Sequence, residues 1–133
     1  MSTRSRIGIK NEDGTITSIY CHYDGYPSWT GAVLDECYNS EERARALIAL
    51  GDISFLDRKL EPEPGQAHTF DNPAEGVTIA YGRDRGEKGT EARTSKDERA
   101  YFALAEKSWS DYLYLYENGS WHELIHEELE DEK

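Results

Sequence analysis

The stretch Tyr112-Leu113-Tyr114-Leu115-Tyr116-Glu117-Asn118-Gly119-Ser120-Trp121-His122-Glu123-Leu124-Ile125 decides the class of fold. Aromatic and branched residues alternate on both sides of Asn-Gly, a strong hairpin signal because a type I′ turn requires positive φ at both central positions. A two-residue turn fixes the register. Tyr116 faces Trp121, Tyr114 faces Glu123 and Tyr112 faces Ile125 on one face. Leu115 with His122 and Leu113 with Leu124 share the other. If the leucine face covers the core, His122 is a neutral packing residue, because a charged imidazolium there would be desolvated.

Working outward, Arg4 to Asn11 and Thr15 to Tyr23 read as a second hairpin about Glu12-Asp13-Gly14, with Ile7, Ile9, Ile19, Cys21 and Tyr23 at alternating positions. Asp24-Gly25-Tyr26-Pro27 ends it. A helix is predicted from about Ser28 or Thr30 to Tyr38, since Trp29, Val33 and Cys37 recur at helical spacing beside Leu34 and Tyr38. Ser40 is a natural N-cap for Glu41 to Leu50, and Gly51 suits the position after its end. Residues 57–76, with Glu61-Pro62-Glu63-Pro64-Gly65, read as a long loop. Val77, Ile79 and Tyr81 alternate as a further strand, and Gly82 to Thr94 reads as an exposed loop. Ser95 with Glu98 fits a capping box for a last helix, which puts Tyr101, Leu104, Ala105 and Ser108 or Trp109 on the sheet. Residues 127–133 form an acidic tail expected to fray. The expected fold is one α+β domain over residues 1–133. Its sheet is antiparallel, built from two hairpins plus one strand, with about three helices mainly on one face.

Composition bounds the function. The chain has 133 residues, 37% of them hydrophobic, which fills one small core. Its net charge of −12 argues against proteins that neutralise a phosphate backbone and against anionic membrane surfaces. No apolar run suits a membrane span or a signal peptide. Two cysteines, Cys21 and Cys37, make no disulfide framework, so a reducing cytoplasm is the simplest expectation.

Four features carry candidate chemistry. His122-Glu123-Leu124-Ile125-His126 matches the zinc-peptidase pattern H-E-x-x-H and would support a small metal-dependent hydrolase, but that chemistry needs a helix. In a strand the two imidazoles stand about 13 Å apart, too far for one zinc. Cys21 and His22 point to opposite faces of a strand, so a thiolate–imidazole pair would require His68 to approach Cys21. Tyr23, Asp24, Tyr26 and Trp29 cluster at a strand end and suit a partner surface or pocket, with Asp24 capping the turn. Tyr81, Arg83, Asp84 and Arg85 lie in the one locally basic loop, where arginine forks suit an anionic group unless they pair with Asp84 and Glu87. The charge also admits an acidic nucleic-acid mimic, though its carboxylates are spread along the chain.

Arg4-Ser5-Arg6-Ile7-Gly8, Ser18-Ile19-Tyr20-Cys21-His22-Tyr23-Asp24-Gly25-Tyr26-Pro27, Leu50-Gly51-Asp52-Ile53-Ser54, Val77-Thr78-Ile79-Ala80-Tyr81-Gly82-Arg83-Asp84-Arg85-Gly86-Glu87 and the aromatic hairpin together resemble a family of small tailed-phage and prophage proteins. The family carries no established activity, and in its members the segment after the terminal Trp runs on as strand without H-E-x-x-H. The resemblance implies a bacterial host cytoplasm. It also implies an accessory role, in host takeover or counter-defence, exerted by binding. The expected protein is non-enzymatic, with no catalytic residue, metal or cofactor assigned. Its partner is a host protein or small ligand, and homo-oligomer formation is left open.

Overall fold

A computed structural model describes residues 2–124. The Tyr112–Ile125 pair, His126 and the acidic tail 127–133 lie outside the described residues. Strands β1 (Ser5–Lys10) and β2 (Ile16–Tyr23) form the first hairpin. A π-helical turn (Pro27–Gly31) leads into α1 (Ala32–Cys37), followed by α2 (Glu41–Ile48) and β3 (Ile53–Phe55). After the long loop come β4 (Ile79–Ala80), α3 (Tyr81–Arg85) and β5 (Arg93–Ser95), then α4 (Glu98–Lys107). The second hairpin is β6 (Tyr112–Glu117) and β7 (Ser120–Leu124).

The protein is α+β, but its sheet is mixed rather than antiparallel. The order is β4-β3-β2-β1-β6-β7, with β5 beside β2. Both hairpins form, and β6–β7 has the register that the Asn118-Gly119 turn dictates, from Glu117 opposite Ser120 to Leu113 opposite Leu124. They join through β1 and β6 running parallel, Ile7 opposite Tyr114, and β3 adds parallel to β2. A hairpin signal is local, whereas a parallel joint is made by long crossovers that no turn chemistry announces.

The helices cover both faces, which corrects the one-sided layer expected. Ile7, Ile9, Ile19, Cys21, Tyr114 and Tyr116 pack beneath Leu34, Tyr38, Leu47 and Ile48 of α1 and α2. On the other face, Ile16, Leu113 and Leu115 pack against Tyr101, Phe102 and Ala105 of α4. Alternation explains the division, since successive residues of β1 and β6 point to opposite faces.

Local differences have local causes. Ser40 caps α2 as expected, accepting from Arg43 N–H at 3.1 Å. Asp97 rather than Ser95 caps α4, accepting from Ala100 N–H at 2.9 Å, because Ser95 is committed to β5 opposite Ile16. The strand near Val77 is only Ile79–Ala80, and Tyr81 begins a helical turn. Residues 82–94, expected as exposed loop, therefore contain most of α3 and the start of β5. His122 is exposed on the edge strand β7 rather than in the core, and of that strand Leu124 packs against the α4 cluster.

Candidate functional site

The loop after β2 and the connection before β6 meet at the start of β1. Gly25 N–H donates to the Thr3 carbonyl at 2.8 Å, and Asp111 N–H donates to the Arg4 carbonyl at 2.7 Å. Three aromatic residues in these segments face solvent: Tyr23, 48% exposed, Tyr26, 36%, and Trp109, 76%. Asp24 holds the turn in the left-handed region at φ 55°, which Asp tolerates better than most residues. The capping contact runs through its carbonyl, which accepts from Thr30 Oγ1 at 2.7 Å. Trp29 is half-buried. Its indole N–H donates to the Leu56 carbonyl at 2.8 Å, its ring stacks on Phe55, and Arg58 lies over it at 5.3 Å. Tyr23 and Tyr26 are thus available to a partner, while Trp29 is engaged within the fold.

Of Ser108 or Trp109, one was expected on the sheet side of α4; Ser108 takes that place, its Oγ accepting from Arg6 at 3.1 Å, and Trp109 does not. The helix ends first, at the C-cap Ser108. Ser110 N–H then bonds the Ala105 carbonyl at 3.0 Å and Trp109 N–H bonds the Glu106 carbonyl at 3.1 Å. These two bonds make a Schellman motif, whose left-handed position normally holds glycine. Trp109 fills it at φ 59°. A left-handed conformation costs an L-residue roughly 1–2 kcal/mol, and the exposed indole recovers little of that by packing.

The second group binds the long loop to α3. His68 and Asp84 are buried side chains, 3% exposed each, with Nε2 and Oδ2 3.0 Å apart. His68 Nδ1 accepts from Ala74 N–H at 2.9 Å, so the ring proton sits on Nε2 and is donated to Asp84. Asp84 also accepts from Ala80 N–H at 2.8 Å and from Arg83 Nε at 2.8 Å. Burial pushes the Asp84 carboxyl up, but the bonds from Arg83, Ala80 and His68 outweigh it and hold the group below its ordinary value. Arg83 further donates to the Thr78 carbonyl at 2.7 Å and to the Leu60 carbonyl. Arg85 lies over the rings of Phe70 and Tyr81, at 4.4 and 5.1 Å, and pairs with Glu87 at 3.0 Å. This arrangement is a latch on residues 60–78.

Other candidates are closed to chemistry. Cys21 is fully buried, and burial pushes its thiol up to about 11. His68, at Asp84, is not its partner. His122 Nε2 lies 3.3 Å from both Ser120 Oγ and the Glu117 carbonyl, and His122-Glu123-Leu124 is strand, which removes the one-turn spacing of H-E-x-x-H. His126 lies outside the described residues. An open groove of about 500 Å³ beside α2 is lined by Arg43, Arg58 and Lys59. There Arg58 pairs with Glu36 and Lys59 with Glu63.

Sequence reasoning missed a third group on the sheet face that α4 leaves open: Arg4, Arg6, Tyr20, His22 and Arg93. The alternation of β1 and β2 does carry the signal, since Arg6 pairs with Tyr20 in the register.

Comparison of the chain with family models, curated proteins and solved structures finds no match. No described helix is long and apolar enough to cross a membrane.

Proposed function

We propose that the protein is a non-enzymatic phage accessory protein that acts in the bacterial host cytoplasm by binding a host protein, with Tyr23, Tyr26 and Trp109 as its contact surface. Trp109 carries the reading. A bulky residue in the left-handed region is an outlier that asks for a function, and here the ring is 76% exposed. Trp and Tyr dominate binding hot spots because they bury 150–250 Å² each and lose little side-chain entropy. The resemblance to small phage proteins supports the accessory role, whether host takeover or counter-defence. The burial of Cys21 and the strand geometry at His122 favour binding over catalysis by these residues.

Side-by-side affinity purification of wild type and Trp109→Gly from infected cells tests it. The expected result is a stoichiometric host protein recovered by the wild type and lost with the variant. Equal recovery by both, or no stoichiometric partner, contradicts the assignment.

A further inference from the structure

We infer that the open face of the sheet, where Arg4 and Arg93 stand beside Tyr20 over the buried Arg6, binds the phosphate group of a small molecule. Strand geometry assembles it. Arg6 faces Tyr20 across β1 and β2, and Arg93 faces Ser18 across β5 and β2. Arg4 and His22 continue the same two rows, because side chains two apart share a face. Gly8 and Ile16, further along, lie under Tyr101 of α4 and the C-cap Ser108 covers Arg6, which leaves Arg4, Tyr20, His22 and Arg93 on the uncovered part of the face.

The charges of this group are uncompensated at close range. Arg45, Arg58, Arg83 and Arg85 each hold a carboxylate within 4.0 Å. Among the described residues, Arg4, Arg6 and Arg93 hold none, like Arg43 and Arg99 elsewhere, but these three share one face of the sheet, in a chain with 27 acids. Arg6 is only 2% exposed, and its guanidinium donates to neutral acceptors alone: Ser18 Oγ and Ser108 Oγ at 3.1 Å, and the Ser18 carbonyl at 3.3 Å. Arg4 Nε is shielded from solvent with no hydrogen-bond partner among the described residues. A guanidinium buried without a counter-ion is expensive, and an arriving anion relieves that expense. The acid in electrostatic reach of Arg6 and Arg93 is Asp52, which accepts from Tyr20 N–H at 2.9 Å. Glu87, near Asp52, is taken by Arg85. Against the three arginines stand Asp52 and Asp111, whose carboxylate accepts from the Arg4 backbone N–H at 3.2 Å, so the face keeps a net positive charge on a protein of net charge −12.

Tyr20 and His22 add direction. The Tyr20 hydroxyl and His22 Nδ1 share a hydrogen bond of 2.7 Å, which fixes the two side chains against each other. Burial, with Arg4 beside it, pulls the His22 imidazole below its ordinary value. Donors from several side chains on one face suit a dianionic phosphate, with three free oxygens to share, better than a carboxylate with two. The overall negative charge repels a polyanion such as nucleic acid, so the ligand is small.

Titration of the full chain at low ionic strength with inorganic phosphate, then with AMP, tests the site by calorimetry and amide shifts. Saturable binding is expected, with shifts centred on Arg4, Arg6, Tyr20, His22 and Arg93. Arg4→Gln and Arg93→Gln should each weaken it about tenfold or more without lowering the melting temperature, roughly the loss of one charge-assisted bond. Trp109→Gly should bind phosphate like the wild type, which separates this site from the protein-contact surface. Tighter binding of AMP assigns an organic phosphate, and tighter binding of inorganic phosphate assigns the free ion. Malonate binding as tightly as phosphate, binding undiminished in both arginine variants, or no saturable binding would each overturn the proposal.

Discussion

The phenol of Tyr101 lies over Gly8 so closely that a Cβ on residue 8 would stand 2.8 Å from the Tyr101 oxygen and 2.9 Å from the ring carbon bearing it. The hydroxyl donates to the Tyr114 carbonyl at 2.8 Å. One side chain of α4 thus clamps the parallel joint between β1 and β6, and burial pushes its phenol far above the ordinary range. Gly8→Ala is expected to destabilise by about 1–3 kcal/mol through overpacking. Tyr101→Phe should cost about 1–2 kcal/mol by leaving a buried carbonyl unpaired. Urea unfolding measures both. A Gly8→Ala variant as stable as wild type would mean that the ring has room to move.

The latch at Asp84 makes stability acid-sensitive. Because the folded carboxyl titrates below its unfolded value, the stabilisation is complete above the unfolded value of about 3.9 and is lost as pH falls through the folded one. Asp84→Asn should lose roughly 1–3 kcal/mol at neutral pH, the scale of buried charge-assisted bonds. The gap from wild type should stay constant down to about pH 4 and close below it. Thermal melts across pH 2.5–7 read this directly, and a gap that widens towards low pH would contradict the assigned role.

The two thiols should differ sharply in reactivity. With its thiol near 11, Cys21 is about one part in a thousand thiolate at pH 8, and it is also sealed from solvent. Cys37 is partly exposed. Aromatic disulfide reagent at pH 8 should label one cysteine promptly and the second only after denaturant is added. Prompt labelling of both would show that the core around Cys21 opens.

How far the fold was legible follows from these particulars. Both hairpins were readable because Asp13-Gly14 and Asn118-Gly119 announce them locally, and at Asn118-Gly119 the two-residue turn leaves one register. The β1–β6 joint was not, since Ile7 and Tyr114 are adjacent only through long crossovers. Strands β3 and β5, three residues each, are too short for alternation to register. His68 and Asp84 meet across an irregular loop with no periodicity linking them. Trp109 misled because the helical spacing of Tyr101 and Ala105, carried on to residue 109, runs two residues past the end of α4 at Lys107. Tyr23 and Tyr26 were identified as surface aromatics from the turn that follows β2, and they are exposed.

The central claim is that Trp109 serves a partner rather than the fold, and the melting temperature of Trp109→Gly tests it most directly. Glycine accepts the left-handed position that the Schellman turn requires, and its greater freedom in the unfolded chain offsets part of that gain. The account predicts a variant at least as stable as wild type, by up to about 1 kcal/mol or a few degrees. A melting temperature several degrees lower would show that the indole packs in the native state, and would contradict its assignment as a contact residue.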